Sequence, residues 1–159
     1  MYKRALVPLD GSAVAEGIVP FVLEIAGPLD IEVTLLRVVV PTPPVVVEGS
    51  SYIVVDDLEK QQAEAEAYLA GIVAELRTKG VRVKSVIRRG EPVAAILDGA
   101  REAGADLIAM TTHGRSGFGC LLFGSVAEAV LRHSQVPVLL MRQTAAEVAA
   151  RAAAFGVVR

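Results

Sequence analysis

The residues best suited to chemistry in this chain are the glycines of MTTHGRSGFGCLLFGSVAE, positions 110–128: Gly114, Gly117, Gly119 and then Gly124, followed at once by Ser125. Glycine inside a regular element costs about 0.5–1 kcal/mol relative to alanine, so such a cluster marks a tight turn or a surface that something approaches closely. The cluster runs into a helical pattern at Ser125. The first turn of a helix presents unpaired N–H groups and the positive end of its dipole, which suits a phosphate. Ser125 adds a hydroxyl and Gly124 permits close approach. A glycine turn that merely opens a helix is the competing structural reading.

Two familiar phosphate motifs are missing. The chain contains no G-x-x-x-x-G-K-[ST], which argues against a P-loop kinase or ATPase. It has no G-x-G-x-x-G after its first strand-like run, where only Gly11 stands. Other reactive side chains are sparse. His113 has no nucleophile beside it in sequence and reads as a loop-shaping residue, while His133 falls on the far part of the next helix. Arg115 is either a phosphate contact or a solvated loop charge. Cys120, the single cysteine, reads as a small packed residue, since nothing in the sequence marks it as reactive.

Strand and helix signals alternate around these residues. Ala5–Leu9 is a short apolar run ending at DGS, and Val14, Ile18, Phe21, Val22 and Ile25 then recur at helical spacing. Ile31–Val40 is β-branched. Leu58, Gln62, Ala65, Leu69, Ile72 and Leu76 make a helical stripe. Val81–Ile87 alternates apolar with polar, as a strand near a sheet edge does. Pro92 suits the first turn of a helix carrying Val93, Ile96, Leu97 and Ala100. Ala105–Met110 reads as a buried strand, Ser125–His133 as a helix and Val136–Met141 as a fifth strand. This alternation predicts an α/β fold with a five-stranded parallel sheet between two helical layers. Ligands bind such sheets beyond the carboxyl ends of the strands, where strand order reverses. There the loops PLDGS and TTHGRSG meet. Pro41–Val55 falls outside the repeat and reads either as a flap over the site or as a surface loop. In the alanine-rich tail, Thr144 and Glu147 have the spacing of a capping box, which predicts a short helix.

The totals agree with one such domain. The chain has 159 residues, 53% of them hydrophobic and only 4% aromatic, so its core is built from Val, Leu, Ile and Ala. A net charge of −2 with no Lys/Arg block argues against nucleic acid as a partner. No apolar run is long enough to span a membrane. The absence of a disulfide framework and of a signal-peptide pattern predicts a cytoplasmic location.

VPLDGSAVAE near the start and MTTHGRSGFGCLLFGSVAEAVLRHSQVPVLLMR near the end resemble the universal stress protein family. The resemblance runs from about Tyr2 to Arg142. It implies a flavodoxin-like three-layer fold, a universal stress protein domain over 1–142, a separate tail over 143–159, and a homodimer formed through the last strand. One branch of the family binds ATP through a glycine, two residues, a second glycine, nine residues and Gly-Ser or Gly-Thr. Gly114, the interval 115–123 and Gly124-Ser125 match that spacing, whereas the first glycine falls on Thr111. That departure adds a β-branched side chain where the backbone would approach ribose or phosphate. Gly119-Cys120 also stands where many relatives carry a polar or basic pair.

Carried over by position, the resemblance implies ATP or AMP as ligand. Pro8, Leu9 and Asp10 would line the adenosine, with Val39 (or Val40) and Met110 against the adenine. Thr111, His113, Gly114, Arg115, Gly124, Ser125 and Val126 would surround the sugar and phosphates. The plain reading of Asp10 is a helix cap, with Gly11 or Ser12 as alternatives. Because acids are scarce near this loop, Mg²⁺ would be held mainly by the phosphates. No general base is placed to activate water, so the expectation is a nucleotide-binding stress or signalling protein with at most weak ATPase activity. A slow ATP hydrolase and a nucleotide-independent dimeric interaction protein are the alternatives.

Overall fold

The computed structural model describes residues 1–41, 45–46, 53–54, 58–113, 124–144, 146–147 and 149–150. Five strands form one parallel sheet: β1 (Arg4–Pro8), β2 (Glu32–Val39), β5 (Val83–Arg89), β6 (Leu107–His113) and β7 (Val138–Gln143), in the order β5-β2-β1-β6-β7. Two short strands, β3 (Val45–Val46) and β4 (Ile53–Val54), pair antiparallel outside it. Strand order reverses between β1 and β6, whose loops therefore diverge from one point at the carboxyl edge. Among the described residues no helix is long and apolar enough to cross a membrane.

Both sheet faces are covered, as the continuous apolar runs require. Val7, Val33, Leu35 and Ala109 pack against α1 (Ile18–Ala26) and α2 (Leu58–Thr78). Leu6, Leu36, Ile108 and Met110 pack on the other side against α3 (Pro92–Glu102) and α4 (Ser125–His133). The expected alternation holds only at the start of the outer strand β5, with Val81 and Val83 buried and Arg82 and Lys84 exposed; Ser85 and Val86 are exposed as well.

Element starts differ from the sequence reading where proline or a competing hydrogen bond intervenes. The first helix begins as a 3₁₀ turn at Ala15–Gly17, and α1 proper starts at Ile18. This places Pro20 in the first α-helical turn, where a missing N–H leaves no gap. β7 begins at Val138 because Pro137 has no N–H for the ladder and contributes only its carbonyl, to Ile108 N. Ala105 is drawn back to α3 through its N–H to Ala100 O at 2.9 Å, so β6 opens at Leu107. Glu91 caps α3, accepting from Val93 N at 3.0 Å and Ala94 N at 2.8 Å; these backbone donors hold its carboxyl below the usual range. Thr144 and Glu147 exchange backbone and side-chain hydrogen bonds as a capping box, and residues 146–147 and 149–150 are helical.

Asp106 ties β1 to the head of β6 by accepting from Lys3 N at 2.8 Å and Arg4 N at 3.0 Å. Partial burial raises its pKa, but the Arg4 and Lys3 donors and the Arg4 charge outweigh that and leave it below the usual carboxylate value. A folded pKa depressed in this way contributes stability above the unfolded pKa, and the contribution is lost as pH falls through the folded one. Asp106→Asn should therefore lose less stability than the parent protein as the solution is taken from neutral pH into the acid range. Chemical denaturation at several pH values reads this directly, and parallel losses would show that Asp106 contributes nothing to acid sensitivity.

Candidate functional site

A cavity of about 790 Å³ opens at the carboxyl edge of β1, β2 and β6. Three backbone devices shape it. The first follows β1. Leu9 N donates to Leu36 O at 2.8 Å, which holds the strand end in line. The Asp10 carboxylate then accepts from Ser12 N at 2.8 Å, and the Ser12 hydroxyl accepts from Ala15 N at 3.1 Å. Ser12 thus caps the 3₁₀ turn, and Asp10 closes an Asx turn before it. Gly11 has φ +84°, which glycine adopts without strain.

The second device is the start of α4. Gly124 N donates to the Thr112 hydroxyl at 3.3 Å, and Gly124 O accepts from Glu128 N at 2.9 Å. Among the described residues no side chain caps this helix. The N–H groups of Ser125, Val126 and Ala127 fall in the first turn, which has no intrahelical acceptors to offer them, and all three residues line the cavity. Gly124 has φ −54° and ψ 144°, a conformation open to any residue. A Cβ built on it meets no atom of the described residues within 4 Å. Neither backbone strain nor crowding within the described residues requires glycine there.

The third device is Thr111. Its hydroxyl donates to Val14 O at 2.8 Å, tying the end of β6 to the segment after β1. The side chain that departs from the family pattern is thereby engaged with the scaffold, and the cavity beside it stays open.

Of the residues singled out by sequence, Pro8, Leu9, Asp10, Val39, Met110, Thr111, Gly124, Ser125 and Val126 all line this one cavity. Gly114, Arg115 and Cys120 lie outside the described residues, as does the His113 side chain. Strand alternation puts Val38 on the face of Met110 and Val39 on the opposite face, while Val40 follows the strand and is exposed. Among the described residues no group of three or more His, Cys, Asp or Glu side chains is arranged to hold a metal ion.

By its lining the cavity has two lobes, one on each face of the sheet. One, beneath α3 and α4, is lined by Val38, Ile96, Met110 and the start of α4. The other, beneath α2, holds two residues that sequence reasoning passed over, Arg37 and Tyr68. The Arg37 guanidinium carbon stands 5.9 Å from the Tyr68 ring centroid. The Tyr68 hydroxyl is buried beside the Glu16 carboxylate. Burial, then the nearby Glu16 carboxylate, pushes the phenol pKa well above its ordinary value. A lone arginine in the apolar run LLRVVV was the signal available for Arg37. Tyr68 stands three residues after the Ala65 of the helical stripe.

The universal stress protein family model matches residues 1–142. The universal stress protein MJ0531 of Methanocaldococcus jannaschii is 32% identical over 145 residues, covering 90% of this chain and 84% of that protein. The solved structure of MJ0577, a universal stress protein of the same organism, superposes with a TM-score of 0.70 at 29% identity, covering 90% of this chain and 97% of that one. A universal stress protein from Archaeoglobus fulgidus, solved in complex with dAMP, shares the fold with a TM-score of 0.62 at 22% identity, over 87% of this chain and 97% of that one. With its motifs, its sheet and these likenesses in agreement over nearly the whole length, the chain belongs to the universal stress protein family.

Proposed function

We propose that this protein binds an adenine nucleotide, ATP or AMP, at the carboxyl edge of its sheet, and acts in stress response or signalling through that occupancy and the partners it selects. The observation that carries the reading is the start of α4 behind Gly124, capped by no described side chain and opening onto the cavity that also holds Pro8–Asp10 and Met110. An anion there would accept from the Ser125 and Val126 N–H groups and the Ser125 hydroxyl. Apolar Met110 and the valines at the end of β2 offer surface for a base, and Asp10 retains acceptor capacity beyond its bond to Ser12 for a ribose hydroxyl. The dAMP complex of the A. fulgidus protein supports the reading by showing that a neighbour of this fold takes an adenine nucleotide. His113, Gly114 and Arg115 complete the proposed phosphate side. Mg²⁺ would be carried by the phosphates and water rather than by a protein cage. With no base assigned to activate water, turnover of ATP is expected to be weak.

A nucleotide panel tests this. AMP and ATP at millimolar concentration should raise the melting temperature of the stripped protein, as any ligand selective for the folded state does. An equal shift from GMP would overturn adenine as the recognised base, and no shift from any nucleotide would overturn the site.

The edge strand β7 carries half-buried Leu139, Leu140 and Met141, and an apolar edge of this kind is prone to pair with another strand. We infer a homodimer through β7, with residues 1–142 as the domain and 143–159 as an appended tail. Light scattering at micromolar concentration should return twice the chain mass; a clean monomer would remove this part of the proposal. Dimerisation without nucleotide uptake would favour the interaction-protein alternative.

A further inference from the structure

We propose that the lobe beneath α2 is a second anion subsite with Arg37 as its recognising residue. The preferred ligand of the cleft is then an adenine nucleotide with a phosphate on a ribose hydroxyl as well as at the 5′ position. This deepens the nucleotide reading above and rests on it.

Arg37 stands on the α2 side of the sheet by strand alternation, with Val33 and Leu35, whereas the start of α4 serves the lobe on the other side. The two are thus presented to the cavity from opposite faces of the sheet. The guanidinium lies against the loop after β1: a Cβ built on Gly11 would stand 3.5 Å from both of its terminal nitrogens. Its place is therefore next to Asp10, the residue assigned to the ribose, and away from the proposed 5′-phosphate cradle.

Arg37 forms no ion pair with a described carboxylate, although three acids surround the lobe. Asp10 already accepts from Ser12 N, Glu64 pairs with Lys60 at 4.0 Å, and Glu16 faces Tyr68. Tyr68, neutral at physiological pH, gives Arg37 a π face and no counter-charge. The fork is thus held in place from beneath while no described residue takes its N–H donors, the arrangement in which arginine recognises phosphate in bidentate fashion. A phosphate on the 2′ or 3′ hydroxyl of a ribose seated against Asp10 would meet it.

The test is calorimetric titration of the nucleotide-stripped full-length protein with AMP, adenosine 2′,5′-bisphosphate and adenosine 3′,5′-bisphosphate. One bisphosphate should bind roughly tenfold or more tightly than AMP, the effect of a charge-assisted pair, and its identity assigns the hydroxyl. Arg37→Gln should bring that ratio close to one and leave AMP affinity within about twofold. Tyr68→Leu, which keeps the charge and removes the platform, should give an intermediate ratio; Arg37→Lys should do the same and serves if the glutamine variant does not fold. Equal binding of AMP and both bisphosphates by the parent protein would overturn this inference alone. So would an Arg37→Gln variant that weakens all three ligands equally. Failure of every nucleotide to bind would overturn the nucleotide reading and this subsite with it.

Discussion

Gly124→Val is expected to lower affinity for ATP and AMP by about two orders of magnitude while leaving the folded protein nearly as stable as before. The backbone at position 124 is extended, with φ −54° and ψ 144°, so valine enters it without strain. No described residue stands within 4 Å of the Cβ it would add. The stability change is then limited to the altered helix cap, about 1 kcal/mol or less. The two new methyl groups would instead occupy the space in front of the Ser125 and Val126 N–H groups. Hydrogen bonds to a charged phosphate contribute about 1.5–3 kcal/mol each, so displacing it from one or two donors removes about 3 kcal/mol, a factor of about one hundred. Titration and thermal unfolding of the same preparation separate the two effects. Undiminished affinity in a folded Gly124→Val protein would show that phosphate is not held at α4.

Leu36→Ala should be the more damaging change to the fold. Leu36 is wholly inaccessible to solvent on β2, between β5 and β1, in the cluster that supports α3 and α4. Its Cδ2 lies 3.2 Å from the position a Cβ would take on Gly99, so α3 packs directly on this side chain. Truncation removes transfer free energy and leaves a cavity that a parallel sheet, fixed by its ladders, collapses into poorly; about 3 kcal/mol is the expected loss. For a chain of this size that lowers the melting temperature by about 6–12 °C. Leu36→Met, which nearly conserves volume, should cost less than about 1.5 kcal/mol. Because Leu36 also lines the nucleotide cleft, the alanine variant should bind ligand more weakly as well. A melting temperature unchanged by Leu36→Ala would contradict the packing of α3 on β2.

The sheet was legible in the sequence because its strands are buried on both faces. Runs such as EVTLLRVV suit no other placement in a small domain, and the alternation of VRVKSVI marked a strand near the sheet edge. The cleft was legible because DGS and the glycine cluster follow the two strands whose neighbouring positions create the crevice. Boundaries were less so. Pro20 and Pro137 move element starts by what they cannot donate, and Ala105 is captured by a helix end rather than by the sheet. The roles of Arg37 and Tyr68 were hidden for a different reason. Their meeting depends on α2 crossing the end of β2, a long-range juxtaposition with no local spacing to announce it. Strand register likewise separates Val38 from Val39, a distinction that the uninterrupted run VVV does not carry.

The most direct test of nucleotide binding at this cleft is calorimetric titration of the stripped protein with ATP, with and without Mg²⁺. Saturable binding of one nucleotide per chain with micromolar affinity, about −8 kcal/mol, is expected, little altered by removal of the metal. No heat and no thermal stabilisation at millimolar ATP or AMP would contradict it, and would turn attention to the β7 edge and the tail.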